Sequence, residues 1–265
     1  MYKMIAIDVD DTLLDDNMQI SPATKAALRE ASNRGVIITL ATGRMYASAK
    51  KIAAQLELNV PIITYQGSLI KNLLDEKVLY ERSVPTEVAQ QLNEYVEKNG
   101  LHLQVYHNDT LFVKKDNQKI KDYSVLSNIP YTVVADFTEF IQKPLTKMLI
   151  IDEPTRLEQI IVDLKKLFGH KAHITKSKPH YLEILHLEGT KGHAVASLAA
   201  HFGCQLSEVI AIGDSWNDHE MLEVAGIGVA MGNAIDELKQ IADYVTLSNN
   251  EEGVKHVIEK FVLNV

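Results

Sequence analysis

Residues 5–14 read IAIDVDDTLL, an apolar run that ends in three carboxylates, Asp8, Asp10 and Asp11, within four positions. The apolar part, extended to MIAID, reads as a buried strand. Two unit charges a few ångströms apart repel by roughly 1 to 4 kcal/mol at surface-like dielectric. So much negative charge at one strand end predicts a cation beside it. Residues i and i+2 of an extended chain point the same way, so Asp8 and Asp10 can face one site. A lone Asp-x-Asp is more often a solvated loop, but here the strand before it holds the pair at a buried mouth.

Outward from this stretch, strand and helix signals alternate. Ser21-Pro22 opens a helix, with Ser as N-cap, Pro at the first helical position and Gly35 as the stop. VIITLAT (36–42) is a buried strand, MYASAKKIAAQLEL (45–58) a helix and PIITYQG (61–67) a third strand. Such repetition with short links predicts parallel strands and right-handed crossovers. Near Pro85 the pattern changes to helices with paired strands, including LHLQVYH, TLFVKK, TKMLIID, AHITKSK and YLEILHL. After Gly189 the alternation returns, with TKGHAVASLAAHFG as a helix, EVIAIGD and GIGVAM as strands, and a last helix over about 250–262. The expected class is α/β. Residues 1–84 and 189–265 form a parallel-sheet core, and an α+β domain of residues 85–188 is inserted between them.

The 265 residues are 46% hydrophobic and 23% charged, ordinary for a soluble globular protein. A net charge of −8 argues against a nucleic-acid partner or an anionic membrane surface. No apolar run approaches the ~20 residues of a spanning helix. MYKMIAIDVDD meets aspartates too soon for a signal peptide, and the lone Cys204 excludes a disulfide framework and a cysteine-rich zinc site. A cytoplasmic protein is expected. Its oligomeric state is not legible.

In open α/β sheets ligands bind outside the carboxyl ends of the strands. Asp8, Asp10 and Asp11 fall at one such end, Thr42, Gly43 and Arg44 at a second, and Asp214, Asn217 and Asp218 at a third. Asp214 and Asp218 are four apart, so a helix starting near Ser215 would stack them; GDSWND is as readily a turn with an N-cap. Together the acids supply hard oxygen ligands for a divalent cation such as Mg²⁺. Thr42-Gly43 offers a hydroxyl and a closely approachable backbone, although a strand-ending Thr-Gly is usually only a turn. Lys191 at a helix N-terminus opposes the dipole by roughly 0.3 to 1 kcal/mol, which makes sense if it binds an anion. A solvated lysine reads equally well. The sequence holds no GxxxxGK[ST] loop, no HExxH among its ten histidines and no GxSxG elbow. GIGVAMG lacks the last glycine of a dinucleotide fingerprint, and Trp216 reads as a packing residue.

DVDDTLL, the strand-ending TGR, Lys191 in GTKG, and GDSWND followed by GVAMGNA together resemble the haloacid dehalogenase superfamily, most closely its Cof-type phosphatase branch. The resemblance covers essentially the whole chain. It implies a Rossmann-like core with an inserted α+β cap that closes over it, and magnesium-dependent hydrolysis of phosphate monoesters on small metabolites, sugar phosphates or related compounds. By similarity, Asp8 is the nucleophile that forms an aspartyl-phosphate, and Asp10 protonates the leaving alcohol and then activates water. Asp8, Asp214 and the Asp10 carbonyl would hold Mg²⁺, with Asp218 as a further ligand or a guide to its waters. Val9, Thr42, Gly43, Lys191 and Asn217 would bind phosphoryl oxygens. Arg44, Gln66 and, from the cap, Tyr181 with His180 and Glu183 are candidate substrate contacts. Asp11 stands where the family usually has glycine, and Gln66 in TYQG where it usually has asparagine. A phosphomutase and a non-catalytic phospho-ligand sensor are the competing readings. A receiver-like domain also clusters acids with a Thr and a Lys, but the long insertion and the second carboxylate argue against it.

Overall fold

The computed structural model describes residues 2–264. The first stretch carries β1 (Met4–Asp8), α1 (Pro22–Asn33), β2 (Ile37–Ala41), α2 (Tyr46–Ala53), β3 (Pro61–Thr64), β4 (Leu69–Asn72) and β5 (Val78–Glu81). The middle carries α3 (Thr86–Asn99), β6 (His102–His107), β7 (Thr110–Val113), α4 (Gln118–Ser127), β8 (Tyr131–Val133), α5 (Phe137–Phe140), β9 (Lys147–Ile151), α6 (Pro154–Phe168), β10 (Ala172–Lys178) and β11 (Tyr181–His186). The last carries α7 (Lys191–His201), β12 (Val209–Gly213), α8 (His219–Val224), β13 (Ile227–Ala230), α9 (Asp236–Ile241), β14 (Tyr244–Val245) and α10 (Gly253–Ile258). They form two compact units. One holds the residues up to Tyr80 and from Thr190 onward, and the other is Glu81–Gly189. No helix among the described residues is long and apolar enough to cross a membrane.

In the first unit the sheet order is β14-β13-β12-β1-β2-β3-β4-β5. β1 lies parallel between β12 and β2, with Met4 beside Val209 and Ile37. All five residues of β1 are buried, and each fully buried aliphatic side chain contributes about 1.5–3 kcal/mol. α1 begins as its sequence dictates: Ser21 Oγ accepts from Thr24 N at 3.0 Å, and Pro22 takes the first turn. β3 and β4 differ from expectation. β3 stops at Thr64 because Tyr65 and Gln66 both turn to positive φ, 51° and 60°. The antiparallel strand β4 then follows β3, with Ile63 beside Ile70. Its LIKN sequence is too short and too polar at its end to announce a strand.

The second unit is a six-stranded sheet in the order β10-β11-β9-β6-β7-β8. Its neighbouring strands pair antiparallel, except β7 with β8, which are parallel. Alternation along the strands separates its faces. Leu103, Val105, Met148, Ile150, Leu182 and Ile184 join the core with Leu92 of α3 and Leu164 of α6. The other parity carries Gln104, Tyr106, Lys147 and Glu183. Lys147 Nζ meets Glu183 Oε1 at 3.0 Å, both buried, and Ser177 Oγ donates to the same oxygen at 2.8 Å. The Tyr181 ring stands edge-on to Tyr123, 5.5 Å between centroids, and His180 Nδ1 lies 3.2 Å from the Asp152 carbonyl.

Candidate active site

Parallel register places the site. Asp8 ends β1 beside Ala41, so Thr42 follows at the same edge; Ile7 pairs Ile212, so Gly213 and Asp214 follow there too. After Asp8 the chain turns rather than continuing as a strand. Leu14 N donates to the carbonyl of buried Val9 at 3.0 Å. Asp11 takes the left-handed region at φ 60°, which a short polar side chain tolerates better than most, and its carbonyl accepts from Asn233 Nδ2 at 2.7 Å.

That turn removes the strand geometry from which Asp8 and Asp10 were expected to face one site. The i, i+2 argument holds only while the strand lasts, and β1 ends at Asp8. Asp8 is 5% exposed and meets Lys191 Nζ at 2.5 Å. Asp10 is half-exposed and is gripped by Arg44, with Nη2 at 2.5 Å from Oδ1 and Nε at 2.9 Å from Oδ2.

Asp214 and Asp218 also differ from a stacked helical pair. α8 starts only at His219. Residues 216–218 form a single tight turn, and Asp218 folds back over it, its Oδ2 accepting from Asp214 N at 3.0 Å and Ser215 N at 3.1 Å. Asp218 Oδ1 thereby reaches Lys191 Nζ at 2.7 Å. Lys191 opens α7, where Thr190 Oγ1 caps His193 N at 3.2 Å. Its side chain is fully buried, so the solvated-lysine reading is set aside.

The remaining residues form a second cluster. Thr42 is buried, and its hydroxyl accepts from Arg44 N at 3.1 Å. Gln66, also buried, accepts from Asn217 Nδ2 at 3.0 Å. A Cβ on Gly43 would stand 2.4 Å from Gln66 Nε2, and one on Gly67, at φ 118°, would stand 2.1 Å from the Thr190 carbonyl. Gly67 therefore needs glycine, whereas a Cβ at Gly43 would have to displace the Gln66 amide. Thr12 escaped the sequence reading: its hydroxyl donates to Asp214 Oδ1 at 2.9 Å. A lone hydroxyl between Asp11 and Leu13-Leu14 was its only signal. Trp216 is exposed, and Tyr181 belongs to the inserted unit.

Asp8, Asp214 and Asp218 each offer a carboxylate oxygen, all within 4.8 Å of one another. Three acids face one ammonium group there. Burial raises the pKa of Asp8 well above normal; Lys191 opposes this, and Asp218, Asp214 and Asp10 add to it. Burial and then Asp218 push Asp214 up to about 6. Burial alone would lower Lys191, but Asp218 and Asp8 outweigh it and hold the ammonium charged. Hard oxygens with an excess of negative charge fit a divalent cation.

The sign of the resulting pH dependence follows. A carboxyl whose folded pKa lies above its ordinary 3.8 favours the fold at acid pH, and that contribution is lost as pH rises through about 6. Metal-free protein is expected to lose thermal stability across this window. A divalent cation should restore it above pH 6 and do little near pH 4, because protons compete for the same oxygens. Thermal shift with and without the cation across this range checks the expectation. An increment independent of pH would remove the three carboxylates as its ligands.

Residues 5–258 match the family of haloacid dehalogenase-like hydrolases. TM0651 of Thermotoga maritima is 36% identical, with 98% of each chain covered and a TM-score of 0.87. The Bacillus subtilis 5-amino-6-(5-phospho-D-ribitylamino)uracil phosphatase YitU is 31% identical over 97% of each chain. The HAD subclass IIB sugar phosphatase BT4131 is 26% identical, with 98% of each chain covered and a TM-score of 0.82. With buried acids and a buried lysine brought to one sheet edge, and likeness over nearly its full length, this chain belongs to the haloacid dehalogenase-like hydrolases and is a phosphoric monoester hydrolase.

Proposed function

We propose that the protein hydrolyses monophosphate esters of small polyols and sugars through an aspartyl-phosphate on Asp8, with Mg²⁺ held by Asp8, Asp214, Asp218 and the Asp10 carbonyl. The observation that carries the reading is Lys191, whose ammonium bridges Asp8 Oδ1 and Asp218 Oδ1 inside the acidic cluster. The names of YitU, a 5-amino-6-(5-phospho-D-ribitylamino)uracil phosphatase, and BT4131, a sugar phosphatase, support the substrate class.

An anion attacking an anionic phosphate needs its repulsion cancelled. Lys191 supplies one charge beside the Asp8 carboxylate, and Mg²⁺ when bound would supply the rest. Asp8 attacks phosphorus and the bond to the ester oxygen breaks; that oxygen takes a proton from Asp10 and leaves as the alcohol. Asp10 then accepts a proton from water as it attacks the phosphoenzyme, releasing inorganic phosphate and restoring Asp8. Thr42, Gly43, the Val9 backbone and Asn217 orient the phosphoryl oxygens, and Gln66 fixes Asn217 by its hydrogen bond.

Phosphate release from a panel of sugar and polyol monophosphates, with Mg²⁺ and with a chelator, tests this. The expected result is release that requires Mg²⁺ and favours polyol or sugar esters. Isomerised sugar phosphate without free phosphate would point to a mutase instead. Binding without metal-dependent turnover would point to a sensor.

A further inference from the structure

We propose that Arg44 is the positioning residue for Asp10, and that it acts on departure of the alcohol through that carboxylate rather than by touching substrate. The proposal rests on the acid–base role given to Asp10 above.

Among the described residues, Arg44 is the side chain that hydrogen-bonds the Asp10 carboxylate. Asp10 lies in the turn after β1, its side chain 42% exposed, beside Asp8 and the left-handed Asp11. A carboxylate so placed would move among rotamers away from its acidic neighbours. Arg44 removes that freedom. Nε contacts both carboxylate oxygens, at 3.1 Å and 2.9 Å, while Nη2 takes Oδ1 at 2.5 Å. A planar fork on a carboxylate fixes orientation as well as distance.

Arg44 is itself pinned at both ends. Its N–H donates to Thr42 Oγ1 at 3.1 Å, and its carbonyl accepts from Tyr65 N at 2.9 Å. At the far end Nη1 reaches Ser48 Oγ on α2 at 3.3 Å. The β2 edge and α2 thus reach Asp10 through one side chain. Misplacing a catalytic group by about 1 Å costs about 10²-fold, so the fork matters wherever Asp10 must meet a particular oxygen.

A leaving-group comparison separates this from a substrate contact. Nitrophenolate departs as a stable anion, whereas an alkoxide must be protonated as it goes. General acid catalysis contributes about 10²–10⁴-fold where it is needed. For Arg44→Gln, kcat/KM on glucose 6-phosphate or ribose 5-phosphate, whichever the wild type turns over faster, should fall at least about tenfold more than on p-nitrophenyl phosphate. Arg44→Lys should recover only a minor part of the loss, since an ammonium lacks the fork. On Asp10→Asn, adding Arg44→Gln should cost nothing more.

Equal losses on both esters, a rise in KM alone, or a full second loss in the double variant would overturn the assignment. Should the wild type hydrolyse p-nitrophenyl phosphate but neither sugar phosphate, the proposed substrate class falls. The double-mutant cycle in kcat on the aryl ester still decides Arg44, because that constant includes hydrolysis of the phosphoenzyme.

Discussion

Asp8→Asn is expected to abolish metal-dependent phosphate release while leaving the fold intact. The loss should be at least about 10⁴-fold, the scale on which removing a covalent nucleophile acts. An amide keeps the shape of the side chain but cannot form the aspartyl-phosphate. Stability should move the other way. Asp8 is buried among Asp10, Asp214 and Asp218, and burial with that crowding makes its charge unfavourable. Lys191 keeps Asp218 at 2.7 Å after the substitution. Metal-free Asp8→Asn should therefore melt at or above the wild-type temperature at pH 7.5, and its response to Mg²⁺ should shrink. Turnover within about tenfold of wild type would exclude Asp8 as nucleophile. Loss of activity together with unfolding would make its role structural.

Lys191→Met is expected to damage both properties. Methionine has nearly the length of lysine and none of its charge. The side chains of Lys191 and Asp218 are fully buried, and that of Asp8 nearly so. Removing one partner of such a pair strands the other charge at a cost of about 3–5 kcal/mol, which lowers the melting temperature by on the order of 10 °C. Adding Asp8→Asn to Lys191→Met should recover much of that stability, because it removes one stranded carboxylate, and none of the activity. Circular dichroism melts beside phosphate release read both. If Lys191→Met melts as the wild type does, the ammonium is not the counter-charge of the cluster. If it is active, the lysine does not serve the phosphoryl group.

These two expectations were within reach of the sequence to different degrees. The negative density of DVDD demands a cation wherever the strand ends. The identity of that cation's partners was less accessible. The reading of Lys191 as solvated was as sound locally as its reading as an anion ligand, since a lysine next to Gly192 carries no mark of burial. Arg44 entered as a candidate substrate contact through the family resemblance; its grip on Asp10 depends on a turn that starts at Val9, which residue spacing does not disclose. Gln66 reached Asn217 because Tyr65 and Gln66 leave the strand at positive φ, a conformation that neither residue type favours.

The order of elements was determined by the chain itself. Runs such as MIAID, IITLA and VIAIG are too apolar to sit anywhere but inside a sheet, and alternation with helices makes that sheet parallel. Parallel strands end on one edge, so the acids were bound to gather there. Which oxygen meets which nitrogen was decided only by tertiary structure. Lys191 and Asp8 are 183 residues apart, and they meet because β1 and β12 pair in one register and the first turn of α7 points a long side chain back to their ends. Hydrogen bonds of about 3 Å depend on those registers and turns, and a one-dimensional pattern of residue types carries no such distances.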